Sequence, residues 1–387
     1  MKRSIYDQDH EDFRSSVKAF IAKHITPNIE RWDSEGFIDR DAWTAAGEAG
    51  LLGISVPGEY GGGGIPDFRF RTVQMEEFAA VGANSFNAGT SVQDDLVIPY
   101  LVDLGTHEQK QRWLPSLCDG TAIGAMAMTE PGAGSDLQGI RTTATRDGDD
   151  WVLQGSKIFI TNGIAADVVI VLAKTTHGAG SRGMSLFLVP TTAPGFRRGR
   201  KLEKLGLRSN DTAELFFDDL RLPADSLLGH EGKGFVHVME RLPRERMSIA
   251  ATAVAAAAAA FEWTRTYCFE RHAFGQPIGN FQATRFTLAE IATDLEAGTS
   301  LLDRATVLLN AGELSAVDAA QAKYWLSDMH NKIVDRCLQL HGGYGYMLEY
   351  PIAKAYADAR ILPIYGGTNE IMKEIIGRDI AARTRSQ

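Results

Sequence analysis

The apolar residues Phe13, Val17, Phe20, Ile21 and Ile25 recur at three- and four-residue intervals and stop before Pro27, which predicts an amphipathic helix facing a core. Further helices are predicted after Asp41, around 72–81 and over 107–117, with the glycine-rich stretch 57–66 as a flexible break between them. From about Ala122 the grammar changes to short runs rich in β-formers: AIGAMAMTE, WVLQGSKIFI, DVVIVLAK, MSLFLV and AELFFDDL. Residues 145–153 alternate poorly, but Asp147-Gly148-Asp149-Asp150 supplies hairpin chemistry. Helical patterns return after Gly234, with an alanine-dominated stretch over 249–261 and long helices over 283–309 and 316–340. Alanine favours helix and lets neighbouring helices approach closely, so 249–261 is expected inside a bundle or a subunit interface.

The order is helices, then strands, then helices. That is an α+β chain without the strand–helix alternation of a dinucleotide-binding sheet. The predicted domains are helical over 1–121, β over 122–231 and helical again over 232–387. A length of 387 residues with 44% hydrophobic content suits two or three such units.

Charge and cysteine usage narrow the function classes. The net charge of -9, with 40 basic against 49 acidic residues and no long basic block, gives no electrostatic reason to expect nucleic acid or an anionic membrane. Cys118, Cys268 and Cys337 are odd in number and widely spaced, which fits a reducing compartment better than a disulfide framework, and no metal-type Cys/His spacing occurs. The first residues turn acidic before an apolar core could form, and no segment approaches the ~20 apolar residues of a membrane span. The expectation is a soluble, cytoplasmic protein.

Four segments carry candidate chemistry. Met126-Ala127-Met128-Thr129-Glu130-Pro131-Gly132-Ala133-Gly134-Ser135-Asp136 ends a strand in a turn whose N–H groups and hydroxyls suit a planar heterocycle or a phosphate, although its composition also fits an ordinary surface turn. In Lys157-Ile158-Phe159-Ile160-Thr161-Asn162-Gly163, Phe159 by itself reads as core packing. In Arg271-His272-Ala273-Phe274-Gly275-Gln276, followed by Gln282, the arginine by itself reads as a solvated helix end. The last segment runs from Gln339-Leu340-His341-Gly342-Gly343-Tyr344 to Tyr365-Gly366-Gly367-Thr368-Asn369-Glu370. Its paired glycines allow close backbone approach, and a helix starting after Thr368 would present its positive end to an anion.

Together, in this order and over essentially the whole chain, these segments resemble the acyl-CoA dehydrogenases, most nearly the long-chain and isovaleryl-type members. The resemblance implies a β-barrel-like or sandwich middle domain, a C-terminal four-helix bundle, and bound FAD. It implies cofactor contacts at Met126, Met128, Thr129, Ser135, Phe159, Thr161, Thr368 and Glu370, with Arg271, Phe274, Gln282, Gln339 and Gly343 reaching the FAD of a neighbouring subunit. A homotetramer built as a dimer of dimers follows from that sharing. The implied partners are an acyl-CoA substrate and an electron-transferring flavoprotein, in fatty acid metabolism such as β-oxidation.

The reaction implied is α,β-dehydrogenation of the acyl-CoA, in which a carboxylate removes the α proton while the β hydrogen leaves as hydride to flavin N5. Many family members carry that carboxylate where this chain has Gly366. The backbone N–H of Gly366 remains as an oxyanion donor to the thioester carbonyl, and the resemblance moves the base to Glu245 in Leu242-Pro243-Arg244-Glu245-Arg246-Met247. The charge pattern around Glu245, with Glu240, Arg241, Arg244 and Arg246, by itself reads as a solvated, salt-bridged helix. Arg246, Ser135, Tyr365 and Gly367 are expected near substrate. Glu130 and Glu370 are less favoured bases, and Gly366→Glu is expected to restore some activity to Glu245→Gln. An acyl-CoA oxidase, a dehydrogenase of carrier-tethered acyl groups, and a DNA-associated family member are the alternative readings.

Overall fold

The computed structural model describes residues 3–385. The N-terminal helices are α1 (Gln8–Phe20), α2 (Ile29–Glu35), α3 (Arg40–Glu48), α4 (Phe68–Ala80), α5 (Asn84–Ser91), α6 (Ile98–Leu104) and α7 (His107–Cys118). Sequence chemistry sets their starts: Asp7 accepts from the N–H of Asp9 and His10 at the head of α1, and Thr106 with Gln109 forms a capping box on α7. The predicted stripe Val17, Phe20, Ile21 and Ile25 is buried with Trp32, Phe78 and Phe86.

Two features depart from the sequence expectation. Residues 57–66 are a packed loop and not a flexible break, because Gly63, Gly64 and Ile65 donate backbone hydrogen bonds to Gly53, Val56 and Ile54 and a Cβ at Gly62 would run into Val56 and Gly53. Helices α5 and α6 escape the periodicity because Asn84–Ser91 is rich in polar, weak helix formers, and a π turn over Val92–Val97 joins the two helices.

Strands β1 (Gly124–Ala127), β2 (Thr143–Asp147), β3 (Asp150–Thr161), β4 (Val168–Lys174), β5 (Met184–Pro190), β6 (Phe196–Lys201), β7 (Thr212–Leu222) and β8 (Leu227–Leu228) form one mixed sheet. Its order is β6-β7-β3-β2-β4-β5-β8, and β1 pairs in parallel with β4. Strand β4 is apolar at nearly every position because both its faces are covered: Val168, Ile170 and Leu172 pack with α6 and α7, while Val169, Val171 and Ala173 pack inside the β domain. The β2–β3 hairpin closes with Asp147 opposite Asp150. Strand β6, FRRGRK, lies at a sheet edge and shows no apolar alternation.

The C-terminal part comprises α8 (Gly234–Glu270), the small hairpin β9 (His272–Ala273) and β10 (Gln276–Pro277), then α9 (Gln282–Asn310), α10 (Ala316–His341), α11 (Pro351–Ala359) and α12 (Asn369–Arg385). Helix α10 packs against α8, α9, α11 and α12, and α8 also packs against α4. Ala253, Ala257 and Ala260 are fully buried in the core of this bundle. One 18-residue window of α8 is apolar enough to cross a membrane, contrary to the sequence expectation, but 67% of it is buried within the protein and its length serves the bundle.

Candidate active site

Glu245 and Arg246 lie on α8 and are each only 4% exposed, so the charge pattern that reads as a solvated helix is misleading at these two positions. Tyr100 Oη on α6 donates to Glu245 Oε1 at 3.0 Å. Burial pushes the Glu245 carboxyl up to about 7, against the opposing pull of the Tyr100 hydrogen bond and of the Arg246 and Arg241 cations. A carboxylate poised near neutrality suits proton abstraction.

The turn carrying Gly366 and Gly367 reaches the same part of α8. Both residues take positive φ, 63° and 86°, a region open to glycine at little cost. A Cβ at Gly366 would collide with Ile249 Cδ1, one turn beyond Glu245, and a Cβ at Gly367 would stand 3.9 Å from an Arg246 guanidinium nitrogen. Glu245, Arg246 and the glycine turn therefore meet at one place. The turn is held from below by Lys323 of α10, whose buried Nζ donates to Gly367 O at 2.8 Å and Asn369 Oδ1 at 2.9 Å. Asn369 in turn donates to Ser327 Oγ and Asp328 Oδ1. Thr368 Oγ1 accepts from Ile371 N at the head of α12. Tyr365 packs partly buried against the bundle core, and Glu370 is exposed.

The turn after β1 is fixed by a buried ion pair. Glu130 Oε1 meets Lys157 Nζ at 2.8 Å and accepts from Thr142 N, its Oε2 accepts from Arg141 N, and Lys157 also donates to Met128 O. Although burial works upward on Glu130, Lys157 and these hydrogen bonds hold the carboxyl below its usual range, so it is a structural anion and not a base. Met126 packs into the core, Met128 and Thr129 are partly buried, and Ser135 is exposed. Ile158 N donates to Thr129 O, which brings β3 beside this turn.

Phe159 contradicts its core-packing reading. It sits in a register break of β3 with φ of 60° and is 65% exposed. A bulky residue in the left-handed region is strained, and here the strain turns an aromatic ring outward near Thr129 and the half-buried Thr161.

Arg271, Gln339 and Gly343 line a different, open pocket of about 450 Å³ with Tyr267, His341 and Tyr344. The Arg271 guanidinium lies 5.6 Å from the Tyr344 ring centre. Phe274, at the tip of the β9–β10 hairpin, is 94% exposed, and Gln282 opens α9 beside it. None of the residues around Glu245 lines this pocket. The candidate residues thus form two groups, one at the α8–glycine-turn junction and the β1 turn, the other on an outward face of the bundle. An outward aromatic ring beside hydroxyls, and an exposed cation over a glycine-bordered pocket, fit the flat ring and the anionic linker of a dinucleotide such as FAD. Among the described residues no group of His, Cys, Asp and Glu could hold a metal ion.

Sequence reasoning passed over three residues of this site. Tyr100 follows the apolar residues Val97 and Ile98, Ile249 opens the alanine stretch, and Lys323 is one charged residue among several on α10. No local pattern marks any of them.

The acyl-CoA dehydrogenase N-terminal, middle and C-terminal domain families match residues 7–121, 125–220 and 232–381, and the chain belongs to the acyl-CoA dehydrogenases, oxidoreductases acting on CH–CH bonds. It is similar to the mitochondrial long-chain specific acyl-CoA dehydrogenase of Rattus norvegicus, with 48% identity over 382 residues, 98% of this chain and 88% of the relative. Among solved structures, an acyl-CoA dehydrogenase from Geobacillus kaustophilus superimposes with a TM-score of 0.95 at 45% identity, covering 97% of this chain and 98% of the other. A glutaryl-CoA dehydrogenase from Mycobacterium smegmatis in complex with FADH2 gives a TM-score of 0.91 at 33% identity, covering 98% and 96%.

Proposed function

We propose that this chain oxidises the Cα–Cβ bond of an acyl-CoA thioester to the trans-2-enoyl-CoA, with FAD as cofactor and Glu245 as the base that removes the α proton. The observation that carries the assignment is the junction of the buried Glu245 turn of α8 with the Gly366–Gly367 turn, joined through Ile249. When bound, FAD supplies the acceptor for the two electrons and the β hydrogen. The Gly366 N–H donates to the thioester carbonyl and stabilises the negative charge that develops as the α proton leaves. Arg246 adds positive charge beside the same turn, and Tyr365, Gly367 and Ser135 border the substrate. Burial keeps water from the carboxylate and raises its proton affinity.

Met128, Thr129, Phe159, Thr161, Thr368 and Glu370 would hold FAD within the chain, with Met126 supporting the turn from the core. Arg271, Phe274, Gln282, Gln339 and Gly343 would complete the cofactor site of a neighbouring subunit. The separation of these two groups on one chain, and the exposed Phe274, support a homotetramer, and gel filtration of FAD-replete protein as a stable monomer would refute it. The electron acceptor is an electron-transferring flavoprotein, and rapid reoxidation of the reduced enzyme by oxygen would favour an oxidase instead. Three free, buried cysteines support a reducing, cytoplasmic setting.

The decisive test is Glu245→Gln under anaerobic conditions. It should retain FAD while substrate-driven flavin bleaching slows by roughly 10²–10⁴-fold. Normal bleaching would remove Glu245 from the mechanism. Titrating wild type with acyl-CoAs of graded length and branching would define the substrate.

A further inference from the structure

Three residues on one face of α8, Arg241, Glu245 and Ser248, each meet a polar partner on the segment that precedes α7. Arg241 Nη2 lies 3.2 Å from Asp103 Oδ2, and its guanidinium stands 5.4 Å from the Tyr100 ring centre. Glu245 Oε1 accepts from Tyr100 Oη at 3.0 Å, and Ser248 Oγ donates to Asp95 Oδ2 at 2.7 Å. Spacings of four and three keep the α8 residues on one helical face. Their partners are spaced by three and then five, and the wider step crosses the π turn Val92–Val97. On an uninterrupted α-helix Leu96 would lie beneath Tyr100, whereas the extra residue of the π turn brings Asp95 to α8 and leaves Leu96 against the apolar core. Arg71 of α4 braces Asp95 from behind, at 3.2 and 3.1 Å.

We propose that Tyr100 is a positioning residue for Glu245, its hydroxyl holding one carboxylate oxygen in a fixed rotamer and leaving the other to accept the substrate proton. The proposal rests on the reading of Glu245 as base. Among the described residues Tyr100 is the only hydrogen-bond donor to this carboxylate. Both side chains are buried, so water does not readily replace the phenol. Burial and the adjacent carboxylate push the phenol well above its ordinary range, and Tyr100 stays a protonated donor. The other charges around the seam are Glu240, Arg241, Arg244 and Arg246 on α8, Asp103 on α6, Asp94 and Asp95 on the π turn, Arg71 on α4, and Lys323 on α10 beyond Arg246. None of them donates a hydrogen bond to Glu245.

Tyr100→Phe removes one oxygen and tests the assignment. The Glu245 carboxyl can be titrated by its infrared band, taken as wild type minus Glu245→Gln, without any turnover. Loss of a hydrogen bond to the charged form should move that titration up by about one pH unit. The acidic limb of the flavin-reduction profile should move with it, slowing reduction at pH 7 by roughly fivefold, while FAD content stays near wild type and so does the thermal midpoint at pH 5, where the carboxyl is protonated. A merely structural tyrosine would lower the midpoint and leave both titrations in place. Should Tyr100→Phe fail to fold, 3-fluorotyrosine at position 100 keeps the shape but donates more strongly and should move both titrations down. Unmoved titrations would overturn the proposal. An infrared shift combined with normal bleaching in Glu245→Gln would instead sink the base assignment and leave the Tyr100 contact standing.

Discussion

Ile249 Cδ1 fills the volume that a side chain at Gly366 would require, one turn of α8 beyond Glu245. A side chain at 366 therefore has to displace this isoleucine.

Moving the base back to 366 should need both the new carboxylate and the space for it. Gly366→Glu in the Glu245→Gln background has to displace Ile249 and hold a left-handed φ, a strain of about 1–3 kcal/mol. Recovery of flavin reduction should be small in that double variant and several-fold larger when Ile249→Ala is added. Equal recovery with and without Ile249→Ala would show that the isoleucine is no obstacle.

Flavin reduction by substrate should show an acidic limb near pH 7, because a base must be ionised to work and burial has raised this one to about 7. Stopped-flow reduction rates from pH 5.5 to 9 measure the limb. A limb near the ordinary glutamate range would mean that Glu245 is solvated during catalysis.

The same shift bears on stability. A carboxyl raised from its unfolded value near 4.5 to about 7 favours the folded state fully below pH 4.5, and that contribution is lost as pH rises through 7. At pH 8 wild type thus carries a buried ionised group, a penalty of at most ~3 kcal/mol. Glu245→Gln, which can still accept from Tyr100, should raise the thermal midpoint of the apoprotein at pH 8 and change it little at pH 5. A pH-independent difference would contradict the buried charge.

Lys323→Met keeps the buried stem but leaves Gly367 O without its side-chain donor, while Asn369 Oδ1 keeps only the Ser327 hydroxyl at 3.3 Å. An unsatisfied buried acceptor costs about 1–3 kcal/mol, partly offset by removing a buried cation. The glycine turn should loosen, so flavin reduction by acyl-CoA should fall while bound FAD is retained. Wild-type reduction rates would show that the turn needs no support from α10.

Much of the molecule was legible in the chain. Apolar spacing gives α1 and the long bundle helices, β-rich runs give β3, β4, β5 and β7, and the whole series of motifs gives the family. Helix α5 was hidden because its polar residues are poor helix formers held in place by burial, α6 because it is short and joined to α5 through a π turn, and β6 because its edge strand is charged. The glycine run at 57–66 was misread because glycine permits both flexibility and close packing, and only neighbouring atoms decide between them.

Most elements, their order and the chemistry available at each position are local properties of the chain, since periodicity, caps and turn residues act over a few residues. Tertiary structure decided which charges leave water. Glu245 and Arg246 look like their exposed neighbour Glu240 along the chain, yet α6 and the glycine turn close over the pair. That enclosure raises the carboxyl of Glu245, sets Tyr100 against it, and puts Ile249 in the space of a side chain that Gly366 lacks, contacts between residues far apart in the chain that no local pattern encodes.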